Sequence, residues 1–169
     1  VFMQKVIKKI LALGTLAALA GCVALTRTAP VPGDTVADTQ AKLGPPTAVY
    51  SASQGQVLEY ATGPMGQFTW MANVGPDGRL VSFEQVLTGE KFATLKIGKS
   101  RKDDVLRTIG RPAERSFLSL PQLEVWSYRY KEAGVWNSMM HVHFDRSGVL
   151  SLMQNGPDPM YEEKRFFRD

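Results

Sequence analysis

Two stretches share one pattern and set the architecture of this chain: "SRKDDVLRTIGRP" at residues 100–112 and "DTVADTQAKLGPP" at residues 34–46. Each begins with a residue that can cap a helix, Ser100 or Asp34, and each reaches a glycine followed two positions later by a proline, which stops a helix. The glycine and the proline of the first stretch lie 66 residues before those of the second. The pattern predicts two helices of two to three turns, which must pack on a sheet because helices this short are unstable alone.

The similarity continues beyond the helices. At the same spacing of 66, "LEYAT" at residues 58–62 stands opposite "EVWSY" at residues 124–128. Further on, "VGPDGRL" from Val74 matches "FDRSGVL" from Phe144, now 70 residues apart, which predicts four extra residues in the hairpin between these points. Three matches in the same order indicate an internal repeat.

Each repeat contains three segments typical of β-strands, separated by glycine-containing turns. The predicted strands are 57–62, 68–74 and 80–86 in the first unit and 123–130, 135–144 and 149–153 in the second. The predicted fold class is therefore α+β, with two tandem units of a short helix (or two) followed by a three-stranded antiparallel meander. Because each unit alone is too small to bury a large core, we expect the two to pack together.

The composition along the chain predicts five segments. They are a signal peptide at residues 1–21, a tether at 22–33, a first unit at 34–88, a second unit at 89–156 and a tail at 157–169. The connection between the units contains Phe92, Leu95 and Ile97, which we expect to hold it against the folded body.

The N-terminus has the pattern of a secretory signal. Three lysines precede twelve uncharged residues, Ile10–Gly21, a run too short to span a bilayer, which needs about 20 apolar residues. The segment Leu19–Cys22 resembles the bacterial lipobox, which implies cleavage between Gly21 and Cys22 and attachment of acyl chains such as palmitate to Cys22. The alternative is an ordinary secretory signal that ends by chance at a cysteine.

Lipidation would fix the location of the protein and leave it without a free thiol. Lipoproteins retained at the inner membrane usually carry Asp after the cysteine, whereas Val23 stands here, so we expect the outer membrane of a Gram-negative bacterium, on its periplasmic side. Removal of residues 1–21, with three lysines and no acids, changes 20 basic and 16 acidic residues to 17 and 16. A nearly neutral chain argues against nucleic acid as a partner. Cys22 is the only cysteine, so no thiol remains for catalysis or metal binding.

Two groups of side chains are candidates for a site. His141 and His143 alternate on one face of a predicted strand and could hold a metal, or they could simply belong to a polar strand face. Trp126, Tyr128 and Tyr130 could contact a partner, or they could pack within the sheet. No cofactor is predicted, because the chain has no phosphate-binding loop, dinucleotide fingerprint or nucleophile elbow.

The capped helix with its "IGRP" end, the strand "VWSYRY" and the lipobox together resemble the BamE (SmpA/OmlA) family of small outer-membrane lipoproteins. The best match is "GKSRKDDVLRTIGRP" at residues 98–112, and "EKFATLKIG" at 90–98 is similar to the stretch that precedes it in the family. The resemblance implies a non-enzymatic role in outer-membrane protein assembly or envelope integrity, with envelope proteins such as the β-barrel assembly machinery as partners. The tandem arrangement is also similar to the beta-lactamase inhibitory protein, which implies an alternative role as an inhibitor of a periplasmic enzyme.

Overall fold

The computed structural model describes residues 28–162, and the same order of elements occurs twice in them. The first set is α1 (Val36–Leu43), β1 (Ala48–Ala52), β2 (Gly55–Ala61), β3 (Thr69–Val74) and β4 (Leu80–Gln85). A short helix, α2 (Gly89–Thr94), then leads into the second set. That set is α3 (Lys102–Ile109), β5 (Glu114–Leu118), β6 (Leu123–Glu132), β7 (Trp136–Phe144) and β8 (Leu150–Pro157).

The strands form two separate four-stranded antiparallel sheets, in the orders β1-β2-β3-β4 and β5-β6-β7-β8. The predicted fold class, α+β with three-stranded meanders, is therefore wrong, since the described chain is mostly β, and α1 and α3 are each followed by four strands.

The strands that the prediction missed are β1 and β5. Each has only five residues, lies at the edge of its sheet, and pairs with one neighbour. All five residues of β5 are exposed, so neither face selects apolar residues and the sequence carries no period-two pattern. These strands are held by backbone hydrogen bonds to β2 and β6, which no local pattern records.

The sheet register corrects the alignment of the repeat. Ala48, four residues after Gly44, pairs with Glu59, whereas Glu114, four residues after Gly110, pairs with Ser127. The spacing between equivalent residues is thus 68 in β2 and β6, because the β5–β6 turn is two residues longer than the β1–β2 turn. Two of the four extra residues of the second unit therefore lie in the β5–β6 turn, before the hairpin in which all four were predicted.

Helices α1 and α3 begin one residue later than predicted, with Thr35 and Arg101 as their N-caps. The backbone N–H of Thr35 donates to the Asp38 carboxylate at 3.1 Å, and that of Arg101 donates to the Asp104 carboxylate at 2.9 Å. The same two cap positions also pair with the last hairpin of their sheets, through isolated bridges from Thr35 to Arg79 and from Arg101 to Val149. Each helix is thereby fixed at its N-terminus across the sheet.

The second unit has the larger core. One face of its sheet is covered by α2 and α3, which bury a single apolar cluster. The fully buried members of that cluster from the sheet are Trp126, Tyr128, Tyr130, Val142, Phe144 and Leu150. From the helices and the connection, Phe92 and Leu95 are buried as predicted, whereas Ile97 is exposed.

The sheet of the first unit is covered differently on its two faces. The face under α1 has a small core of Leu58, Ala72, Val74 and Leu80. The other face contains Val57, Met71 and Glu59, and it lies against the C-terminal end of α3, where the backbone N–H of Arg111 donates to Glu59 at 3.2 Å. The two units therefore share a packed interface.

The predicted signal peptide and Cys22 lie outside the described residues, as do residues 22–27 of the tether and 163–169 of the tail. The start of the tail is ordered, because Asp158 is buried and its carboxylate pairs with the guanidinium of Arg129. None of the helices between residues 28 and 162 is both long and apolar enough to cross a membrane.

Candidate functional site

The aromatic residues predicted to contact a partner lie in the core. Trp126, Tyr128 and Tyr130 expose 2%, 1% and 2% of their surfaces. They point toward the helices, where Phe92 packs edge-on against both tyrosines. This corresponds to the alternative of sheet packing, and a partner would have to contact other side chains.

His141 and His143 lie on the opposite face of the same sheet. His141 Nδ1 is 2.8 Å from the Ser127 hydroxyl, and His143 is buried. Burial lowers the pKa of His143, and the neighbouring His141 lowers it further, which favours the neutral ring. Within the described part of the chain, no three His, Cys, Asp or Glu side chains are grouped closely enough to hold a metal ion.

Other large aromatic side chains are exposed, and those on the first unit include a stacked pair. Trp70 of β3 stacks on Phe83 of β4, with ring centroids 5.1 Å apart and planes inclined by 13°. Trp70 is 37% exposed and Phe68, one residue before the same strand, is 42% exposed. Contiguous exposed apolar area of this kind marks interaction sites in soluble proteins.

A groove lies on one side of Trp70, and we call it the aromatic groove. Its volume is about 640 Å³. It is lined chiefly by Pro30, Leu43, Tyr60, Thr62, Trp70 and Phe83. Burial raises the pKa of Tyr60, and its hydroxyl has no hydrogen-bond partner among the described residues. The groove offers an aromatic floor with few polar groups, which suits an apolar side chain.

A second hollow, of about 540 Å³, lies on the other side of Trp70 and reaches the second unit. Phe68 lines its first-unit side, and the β6–β7 turn around Gly134 lines the other. The hydrogen bond from Gln67 Nε2 to Asn137 Oδ1, 2.9 Å long, holds the two units together beside it. Trp136, next to Asn137, is 69% exposed. Because Trp70 lines both the aromatic groove and this second hollow, it forms a ridge between them.

A smaller cavity of about 250 Å³ lies between the units and is lined by the fully buried Glu59, whose Oε1 has no hydrogen-bond partner among residues 28–162. Its Oε2 accepts hydrogen bonds from the Tyr50 hydroxyl and from the backbone N–H of Arg111. Burial, followed by the hydrogen bond to the Glu59 carboxylate, raises the pKa of Tyr50, which therefore remains a donor. Glu59 joins the units, and we assign it a structural role.

Replacing Tyr50 by phenylalanine should lower the free energy of unfolding by about 1–3 kcal/mol, because a buried carboxylate then loses a donor. Tyr161→Phe provides the control, since Tyr161 is 47% exposed and should change stability by less than about 0.5 kcal/mol. Urea titration followed by circular dichroism measures both. Equal effects of the two substitutions would show that the Tyr50–Glu59 contact does not stabilise the interface.

The aromatic surface escapes prediction from the sequence because Trp70 and Phe83 occupy positions that alternate toward the helix-covered face of the sheet. Alternation predicts which face a side chain lies on, but it cannot show how far a two-turn helix covers that face. Helix α1 ends at Leu43, which lines the same groove as the two rings, and Trp70 remains 37% exposed beside it.

No protein-family model and no curated protein matches this chain. A solved structure with some similarity is the crystal structure of a DUF4309 family protein (YjgB) from Bacillus subtilis, at 13% identity. The match covers 74% of this chain and 79% of that one, with a TM-score of 0.32. A TM-score this low supports no inference about the fold or function of this chain.

Proposed function

We propose that this protein is a non-enzymatic lipoprotein of the outer membrane that faces the periplasm and acts by binding other envelope proteins. The observation that carries the proposal is the exposed stack of Trp70 on Phe83 between two hollows. Tryptophan and tyrosine dominate the energy of protein interfaces because each buries a large area at a small entropic cost. The surface therefore has the composition of a binding site.

The proposed anchor is the acylated Cys22. Pro30 lines the aromatic groove and stands only eight positions after Cys22, the lipid attachment point. Eight residues extend to about 28 Å at most, which keeps the binding surface close to the bilayer. The partners that fit this position are membrane-associated, such as the lipoproteins and the barrel subunit of the assembly machinery that the resemblance implies.

In-cell photocrosslinking tests the proposal directly. A chain with Trp70→p-benzoylphenylalanine should form adducts with outer-membrane assembly proteins, identified by mass spectrometry. The same amino acid at Leu120, 99% exposed in the turn between β5 and β6, provides the matched control and should not. No adducts from position 70, or the same adducts from both positions, would contradict the proposal. Adducts with a soluble periplasmic hydrolase would instead support the inhibitory role.

Fractionation tests the anchor separately. Cys22→Ser should remove the protein from the outer-membrane fraction, because a serine cannot carry the thioether-linked lipid. A chain that remains in the outer-membrane fraction after this substitution would show that Cys22 is not its attachment point.

A further inference from the structure

The two units differ in what covers one equivalent region of their sheets. Tyr60 pairs with Trp70 as Tyr128 pairs with Met140. The next pair of strands repeats the correspondence, since Ala72 pairs with Phe83 as Val142 pairs with Met153. The lining of the aromatic groove is thus equivalent, strand by strand, to the part of the second core that α2 covers.

In the second unit this position is filled. α2 inserts Phe92 with its ring centroid 6.2 Å from that of Tyr128 and 5.0 Å from that of Tyr130. Leu95, three residues later, is buried in the same cluster. The first unit has Thr62 where the second has Tyr130, and no described helix precedes α1.

The exposure of the equivalent side chains follows from this difference. Tyr128 is 1% exposed, and its hydroxyl donates to the carbonyl oxygen of Gly110 at 3.0 Å. Tyr60 is only half-buried, and the neighbouring Trp70 and Phe83 stack on each other over an open groove. The first sheet therefore has the floor of a helix-binding site without a helix of the α2 type from residues 28–162.

From this comparison we infer that the aromatic groove binds a short helix of a partner protein, which inserts an aromatic side chain and, three residues later, a leucine. The partner helix would complete the first unit as α2 completes the second. This inference rests on the proposed function, because it specifies what the aromatic surface binds. The expected motif is the one that α2 and its C-cap residue form, aromatic-x-x-Leu, from Phe92 to Leu95.

The chain's own N-terminal segment has a different sequence. At the helix spacing of 66, residues 23–28 correspond to α2, and Thr26 stands where Phe92 stands in the second unit. No aromatic residue occurs between Phe2 and Tyr50. The insertion that fills the second core therefore has no counterpart in this segment, which favours a partner as the source of the helix.

The chain supplies its own probe for the test. A fluorescent peptide of residues 86–98, cross-linked so that circular dichroism shows it to be helical, is titrated into the full chain in detergent and followed by anisotropy. We expect saturable binding, weakened at least tenfold by Phe92→Ala in the peptide. In the protein, Trp70→Ala should weaken binding at least tenfold, while Leu120→Ala should leave it unchanged. Because Trp70 is 37% exposed, its variant should fold, which its circular dichroism spectrum checks.

Three outcomes would overturn the inference. The first is no binding of the helical peptide to any chain, and the second is equal binding of the Phe92→Ala peptide. The third is binding only after residues 23–28 are replaced by glycine and serine, which would show that the chain's own segment occupies the groove.

The result is separable from that of the proposed function. Adducts from position 70 in cells together with a failed peptide titration would leave the binding function standing and reject the helix as occupant. Peptide binding without adducts in cells would support the groove as a helix-binding site and reject an envelope protein as its partner.

Discussion

Replacing Phe92 by alanine should lower the free energy of unfolding by about 3–5 kcal/mol, since large-to-small changes of buried aromatic residues lose both the transfer energy and the packing around the cavity. Phe92 is 2% exposed and contacts two tyrosines edge-on, in geometries that add to the energy of burial. Small domains are stable by about 5–15 kcal/mol. The loss would therefore be a large share of the total.

Phe68→Ala is the matched control, because it removes the same atoms from a side chain that is 42% exposed. We expect a loss below about 1 kcal/mol there, since little packing is removed. Urea denaturation gives both values, and an unchanged slope with a lower midpoint would show that stability alone has changed. Similar losses for the two variants would contradict the role of α2 as the cover of the second core.

Replacing Gly110 by alanine should destabilise the chain by about 1–3 kcal/mol more than replacing Gly44, although both glycines end equivalent helices. Their φ angles are +81° and +86°, so either alanine meets the same strain, about 1–3 kcal/mol. The difference arises from the surroundings. A Cβ at Gly44 meets nothing within 4 Å, whereas at Gly110 it lies 3.0 Å from the Glu59 carboxylate carbon and 3.1 Å from Met71 Cε.

Glu59 cannot move away without losing the hydrogen bonds that it accepts from Tyr50 and from the Arg111 N–H. Gly110→Ala should therefore weaken the contact between the units as well as the end of α3. Thermal unfolding of the two variants, at equal protein and detergent concentration, measures the difference. If both lose the same stability, the close approach of Glu59 to Gly110 does not constrain the interface.

The repeat and its helices are the part of the fold that local sequence predicts best. A helix cap, two turns with apolar residues on one side and a terminal glycine with positive φ all lie within a few residues of one another. The local sequence therefore predicts where such a helix ends, as it does at Gly44 and Gly110. The hairpin turns at Gly78 and Gly148, with φ of +75° and +74°, follow the same rule. Such local features are sufficient to predict two similar units.

Strands β1 and β5 and the 68-residue spacing of β2 and β6 could not be predicted in the same way. An edge strand is defined by hydrogen bonds to its neighbour, and β5 has no buried face to impose a pattern. A turn that is two residues longer shifts every pairing after it while leaving the composition almost unchanged. The spacing of 66 therefore makes Tyr60 equivalent to Trp126, whereas the strand pairing shows that Tyr60 is equivalent to Tyr128.

The internal duplication, the position of the helices and the turns that close the hairpins are all encoded locally, because each depends on residues that are close along the chain. Which aromatic side chains are exposed is instead a property of the tertiary structure. Trp126, Tyr128 and Tyr130 are side chains typical of binding sites but lie beneath α2 and α3, whereas Trp70 and Phe83 line an open groove beside the end of α1. Exposure depends on what covers a sheet face, and the covering helix comes from a distant part of the chain or from a partner.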